Sequence, residues 1–313
     1  MIVYEIDALT DKIEGSALTI GNFDGVHVGH QQLIQQVKKR AARMGLSSIV
    51  VTFDPHPLRV LVGKKTPPFI TLNQHKLELM QELGVDYILC TPFNKDIASM
   101  EPEDFVHELL VKKLKLRELI VGYDYVFGKN RRGNFQLLQQ LGQKYGFSVD
   151  QFMPVMVDGA IVSSTRIRDM LESGRVWEVR PLLGRFYSVE GRVTTGRQRG
   201  GSLLGFPTAN ILLQDELFPS TGVYAVWAEI SGSIHAAVAN IGYNPTFGND
   251  YLSVEVHIFD FNHDVYNQNV KVHFVQRLRS EKKFAGVEEL KAQISLDCKL
   301  ARDILKMPET KLC

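Results

Sequence analysis

The chain has 313 residues, and 36 Lys+Arg against 35 Asp+Glu leave a formal net charge of +1, so no overall field argues for nucleic acid or membrane as a partner, and any anion site has to be local. Three widely spaced cysteines, Cys90, Cys298 and Cys313, form no Cys-x-x-Cys, which argues against structural zinc and for a reducing compartment. Glu5, Asp7, Asp11 and Glu14 do not suit a secretory leader, and no apolar run approaches the roughly 20 residues that span a bilayer, so a cytoplasmic protein is expected.

The first half alternates strand and helix. Short apolar β-branched runs at 17–20, 48–53, 87–91, 118–121 and 148–153 predict strands, and the patterns over 31–44, 74–83, 102–113 and 135–145 predict helices. That alternation predicts a Rossmann-like parallel sheet covered on both faces. One more helix is expected over 164–177, with a junction near 180–184. Beyond it, strands over 186–193, 222–230, 234–240, 253–258 and 269–276 follow at short spacing, and helical periodicity returns over 287–305. This predicts a small antiparallel β-barrel with a C-terminal helix. The fold class is α/β plus barrel, with domains 1–180 and 181–313.

Three unusual loops follow strands of the first module, where ligands bind on such sheets. Gly21-Asn-Phe23-Asp24-Gly-Val-His27-Val-Gly-His30 runs from a strand into a helix. Its two histidines, three apart, share a face beside unpaired N–H groups and a positive dipole end, a seat for a polyphosphate. A metal site with His56 as third ligand and a plain capped turn are the alternatives; the glycines and Asp24 favour a backbone pressed close to a ligand. Thr52-Phe-Asp54-Pro55-His-Pro57 and Gly122-Tyr-Asp124 follow two further strands. Ser163-Ser164-Thr165-Arg166-Ile-Arg168 reads as a helix cap or as hydroxyls and guanidinium arranged for phosphate. The basic run 128–133 fails the P-loop pattern at Asn134 and reads as a loop folding over a triphosphate or as a solvated turn.

In the second module an Arg- and Gly-rich run at 194–201, containing Gly196, precedes Pro207-Thr208-Ala-Asn210; the run Asn240–Phe247 and the strand Val254-Glu255-Val256 follow. By pattern alone Glu255 is an outward polar position. The basic stretch 277–284, with Arg279 and Phe284, is an anion-binding or a solvated loop.

Together these motifs, in this order over about residues 15–300, resemble the bacterial bifunctional riboflavin kinase/FAD synthetases, whose first module is a His-x-Gly-His nucleotidyltransferase. The resemblance implies that riboflavin and ATP give FMN and ADP, and that FMN and ATP then give FAD and pyrophosphate. It implies that His27 and His30 hold ATP phosphates and stabilise charge on the transferred adenylyl group. Gly21, Phe23, Asp24, Asp124, Ser164, Thr165 and Arg168 would join them at ATP, with Asp54, Pro55 and Pro57 on the FMN side. In the kinase module it implies Mg²⁺ and ATP phosphates at Thr208 and Asn210, ATP at Gly196, Glu255 as general base, and Arg279 and Phe284 at the flavin. Two other readings stand beside it: an adenylyltransferase for another phosphorylated cofactor with an accessory barrel, and a degenerate nucleotide or flavin sensor. Against a sensor, no signature position is lost, and basic residues do not interleave with aromatics as RNA-binding sheets require.

Overall fold

The computed structural model describes residues 1–63, 66–194, 205–212, 216–244 and 251–312. The chain forms two compact units, Met1–Ser164 and Thr165–Cys313.

The first unit is a six-stranded parallel sheet in the order β1-β4-β3-β2-β5-β6. In chain order it comprises β1 (Ile2–Val3), α1 (Asp7–Thr10), β2 (Ser16–Ile20), α2 (Val28–Met44), β3 (Ser47–Asp54), α3 (Pro57–Val62), α4 (Asn73–Glu82), β4 (Tyr87–Pro92) and α5 (Lys95–Ser99). There follow α6 (Pro102–Asp104), which runs on as a π-helix over Phe105–Lys113, then β5 (Leu116–Gly122), α7 (Phe135–Tyr145), β6 (Ser148–Phe152) and the hairpin of β7 (Met156–Val157) and β8 (Ala160–Ile161). Strand alternation divides the core. Ile49, Val51, Leu119 and Val121 face the π-helix and α7, while Val50, Ile88 and Ile120 face α2 and α4. The five expected strands and four expected helices are present; β1, α1, α3, α5 and the hairpin add to them, and 105–113 winds as a π-helix.

The second unit opens with α8 (Ser164–Glu172) and α9 (Val176–Leu183). The single helix expected over 164–177 is broken at Gly174, whose φ of 75° is left-handed and whose added Cβ would lie 2.8 Å from the Arg277 side chain. Six strands then close an antiparallel barrel in the order β10-β13-β12-β11-β14-β9. They are β9 (Tyr187–Thr194), β10 (Ala209–Leu212), β11 (Gly222–Ile230), β12 (Ser233–Asn244), β13 (Tyr251–Ile258) and β14 (Asn269–Arg279). The sequence pattern did not mark β10. Helix α10 (Val287–Leu305) buries Cys298, Ala301, Ile304 and Leu305 against Val223, Ala225, Trp227 and Val238.

Closure brings backbones together at Gly191, where an added Cβ would sit 2.3 Å from the Leu212 carbonyl oxygen. Backbone cannot yield as a side-chain end can, so Gly191→Ala is expected to destabilise the barrel by about 1–3 kcal/mol. Chemical denaturation should show this as a lowered midpoint, and an unchanged midpoint would contradict so close an approach.

Candidate active sites

After β2 the backbone makes a tight turn with φ of 53° at Phe23, 83° at Gly25 and 38° at Val26. Left-handed φ at Phe and Val is costly and persists only where surroundings enforce it. The enforcement comes from Asp24. Its buried Oδ1 accepts from the Ile70 and Thr71 amides at 3.0 and 3.2 Å, and the Gly25 amide donates to Thr71 Oγ1 at 3.1 Å. Ser164 Oγ adds a bond to the Asp24 carbonyl at 3.0 Å. The Phe23 ring is buried and would lie 3.0 Å from a Cβ at Gly21.

The turn delivers His27 to the N-cap of α2, where its Nδ1 accepts from the His30 amide at 3.2 Å. An accepting Nδ1 puts the ring proton on Nε2, so His27 is neutral with Nε2 as a donor. The two imidazoles stack with centroids 3.5 Å apart and planes 15° apart, and the Phe23 ring meets His30 edge-on at 5.2 Å. Gly29 makes room: a Cβ there would come within 3.2 Å of the His27 ring. His30 Nδ1 is enclosed and has no hydrogen-bond partner among the described residues. Burial, and secondly the neighbouring His27, hold the His30 pKa well below 6.5. The turn therefore presents two uncharged imidazoles at the positive end of a 17-residue helix, suited to anionic oxygens.

In the sheet β3, β2 and β5 are neighbours, so the loops after all three leave the same edge. Beyond β3, Asp54 and Pro55 are exposed and Pro57 begins α3. Asn73 Nδ2 donates to Asp54 Oδ2 at 2.9 Å. Behind them the buried Lys76 donates to Thr52 Oγ1 at 3.1 Å and to the Phe53 carbonyl at 3.3 Å. Burial lowers the Lys76 pKa, opposed by Cys90, Asp24 and Asp54. His56 caps α3 by accepting from the Leu58 amide at 3.2 Å. Asp124 lies exposed in the turn after β5. In the basic run, Lys129 and Arg132 both pair with Glu101. Thr165 is exposed and Arg168 half-buried on α8.

In the barrel, strand register sets the site. Asn210 lies opposite Glu255, and Glu255 opposite Asn240. The three form one cross-strand row on the face opposite to the fully buried Val254 and Val256. Burial raises the Glu255 pKa above 4.5. Thr208 is half-buried and stands just before β10; Gly196 lies outside the described residues. Arg279, at the end of β14, turns its guanidinium onto the buried Asp297 of α10, with Nε 2.9 Å from Oδ2. Phe284 is flanked by Arg279 at 5.7 Å and Lys282 at 5.4 Å. Sequence reasoning passed over Asn73 and Lys76, and named Asn240 only within a motif, with no role of its own. Two-residue alternation along the paired strands marks Asn240 as facing with Glu255, whereas a buried lysine in a helix carries no pattern.

The chain thus combines a parallel sheet, with a histidine-capped helix at its strand ends, and a closed barrel carrying a polar cross-strand row. The FAD synthetase family model matches residues 9–166, and the riboflavin kinase model residues 183–305. The bifunctional riboflavin kinase/FMN adenylyltransferase of Escherichia coli K12 is 39% identical over 293 residues, 93% of each chain. That of Pseudomonas fluorescens is 39% identical over 302 residues, 96% of each. A solved structure named a macrolide-efflux protein, from Streptococcus pneumoniae, superposes with a TM-score of 0.84 at 30% identity, covering 96% of this chain and 99% of the other. Among the described residues here, no helix is long and apolar enough to cross a membrane. The chain belongs to the bifunctional riboflavin kinase/FMN adenylyltransferase family. It is a transferase of flavin-cofactor synthesis, with ATP, riboflavin and FMN as substrates.

The His30 environment makes a pH prediction. With the folded pKa depressed, the unfolded chain binds the extra proton first, so stability is full above about pH 6.5 and declines as pH falls below it. Urea titrations at pH 7.5 and 5.5 should show a larger loss for the wild type than for His30→Gln. Equal losses would place the burden elsewhere.

Proposed function

We propose that adenylylation of FMN takes place at the Gly21–His30 turn and phosphorylation of riboflavin at the Asn210–Glu255 row. The observation carrying the first assignment is the stacked histidine pair at the α2 N-terminus, with the enclosed Nδ1 of His30 unpartnered among the described residues. An FMN phosphate oxygen attacks the α-phosphorus of ATP, the bond to the β-phosphate's bridging oxygen breaks, and pyrophosphate leaves. The nucleophile is already an anion, so the unit need only align the groups and offset charge. His27 and His30 hold phosphate oxygens as neutral donors and stabilise charge on the adenylyl group. Asp24 keeps the turn in shape, and Gly21 and Phe23 line it. By the family motif, Asp124, Ser164, Thr165 and Arg168 contact the nucleotide, and Asp54, Pro55 and Pro57 the FMN side.

In the barrel the riboflavin 5′-hydroxyl attacks the γ-phosphorus, its proton passes to Glu255, and ADP leaves. The raised carboxyl pKa suits a base that must hold a proton transiently. The Thr208 hydroxyl and Asn210 amide supply oxygen donors of the kind a hard cation takes, one strand from that carboxylate. They fit Mg²⁺, which on binding would neutralise phosphate charge; Thr208 and Asn210 would hold it. Arg279 and Phe284 serve the flavin, Arg279 from its pairing with Asp297. The cytoplasm is the proposed location.

Chromatography of products from riboflavin, ATP and Mg²⁺ tests the assignment. His30→Ala is expected to cut FAD formation roughly 10²–10³-fold while FMN accumulates. Glu255→Ala is expected to cut FMN formation roughly 10²–10⁴-fold while added FMN is still converted to FAD. Loss of both activities in either folded variant would overturn it.

The base must be deprotonated, so kinase kcat/KM should fall as pH drops through the Glu255 pKa. Burial places that limb above 4.5. A profile flat down to pH 4.5 would remove Glu255 as the base.

A further inference from the structure

His257 stands two residues beyond Glu255 in β13, and so on the same face of that strand. Its Nδ1 lies 2.8 Å from the carbonyl oxygen of Pro207, the residue before Thr208. A carbonyl only accepts, so Nδ1 carries a proton and donates. The ring is held on both sides: Phe206 meets it edge-on at 5.5 Å, and Phe259 at 5.7 Å. Phe259 is itself covered by the Arg302 guanidinium at 4.2 Å. Arg302, on α10, grips Asp260 through two bonds of 2.7 and 3.0 Å. A chain of contacts thus runs from the C-terminal helix through Arg302, Asp260 and Phe259 to the imidazole, and from the imidazole to the backbone that leads into Thr208 and Asn210.

We propose that His257 is a positioning residue for riboflavin phosphorylation, fixing the Pro207–Asn210 segment against the strand that carries Glu255. The proposal rests on the assignment of Thr208, Asn210 and Glu255 above. Strand pairing already fixes Asn210, which lies opposite Glu255; Thr208 precedes β10, and no strand pairing among the described residues includes it. The His257 bond restrains the backbone one residue upstream of Thr208. It survives protonation of the ring, because Nδ1 donates in both states, so His257 sets geometry and leaves the pH profile to Glu255.

Two substitutions separate the donor from the ring. His257→Phe keeps an aromatic ring between Phe206 and Phe259 but removes the donor. His257→Asn keeps an N–H close to the Nδ1 position. Steady-state kinase assays with riboflavin and Mg·ATP should show His257→Phe with kcat lowered and KM for Mg·ATP raised, together about tenfold or more in kcat/KM. His257→Asn should recover most of that loss. The acid limb should stay where the wild type has it, and adenylylation of added FMN should be unchanged, which reports an intact first unit. Wild-type constants in His257→Phe would overturn the proposal, as would equal impairment in both variants, since packing alone would then explain the loss. Asn210→Ala and Glu255→Gln are assayed alongside. If they keep full kinase activity, the underlying site assignment fails, whatever the His257 variants do.

Discussion

The first turn of α2 has backbone N–H groups with no carbonyl four residues back to accept them, and the organisation of the first unit follows from how that end is prepared. Parallel pairing of β2 with β3 and β5 brings the helix start to the edge from which the neighbouring strand loops also leave. The cap is a histidine where serine or aspartate would satisfy the amide more simply. Using Nδ1 as acceptor commits the proton to Nε2, and Gly29 leaves room for the His27 ring on which His30 stacks. The backbone that reaches this arrangement passes through left-handed φ at Phe23 and Val26. Asp24, bonded to amides from a distant segment, offsets that strain. The histidine-capped turn thus depends on a carboxylate bonded to the Ile70 and Thr71 amides.

The second unit solves its positioning problem through register. Side chains alternate across a strand, so Val254 and Val256 fill the barrel while Glu255 stands on the other face, and pairing on both sides aligns it with Asn210 and Asn240. A one-residue slip would exchange the two sets and bury the carboxylate in the core. Helix α10 then contributes beyond its apolar face: Asp297 takes the guanidinium of Arg279, and Arg302 turns its own guanidinium onto the Asp260 carboxylate. The Arg279 pair is largely withdrawn from water, so removing one partner would strand a buried charge.

What the sequence disclosed and what it hid divide along the range of the interactions. Strands β2 to β6 and helices α2, α4 and α7 are periodic over enough residues that local pattern and tertiary demand agree. Strand β1 is two residues long and exists only because β4 offers it an edge. Apolar spacing over 105–113 is compatible with both α and π winding, and packing chose the second. Gly174 breaks a helix whose hydrophobic pattern runs through it, because Arg277 and Tyr224 leave no room for a side chain. Among candidate residues, the pairing of His27 and His30 at a helix start was legible because they stand three apart where the helix begins. Asp24 reads from sequence as a nucleotide contact, yet its carboxylate meets Ile70 and Thr71, 46 and 47 positions away. Lys76 carries no sequence signal and is buried, donating to Thr52 Oγ1 and the Phe53 carbonyl.

Under the assignment proposed above, the opposite shifts at His30 and Glu255 suit what each transfer requires of its nucleophile. In adenylylation the attacking oxygen belongs to a phosphate and carries charge already, so a base has nothing to remove. The first unit accordingly offers the His30 imidazole, which burial keeps neutral, stacked on His27, and the Asp24 carboxylate is engaged by backbone amides. In phosphorylation of riboflavin the attacking group is an alcohol, which must lose a proton as the bond to phosphorus forms. There a half-buried carboxylate whose affinity for protons is raised by the same desolvation is the useful group. Burial lowers the pKa of a histidine and raises that of a glutamate, because in each case it disfavours the charged form. One physical effect, applied to two residue types, thus keeps an imidazole neutral and makes a carboxylate readier to take a proton, as the proposed roles require.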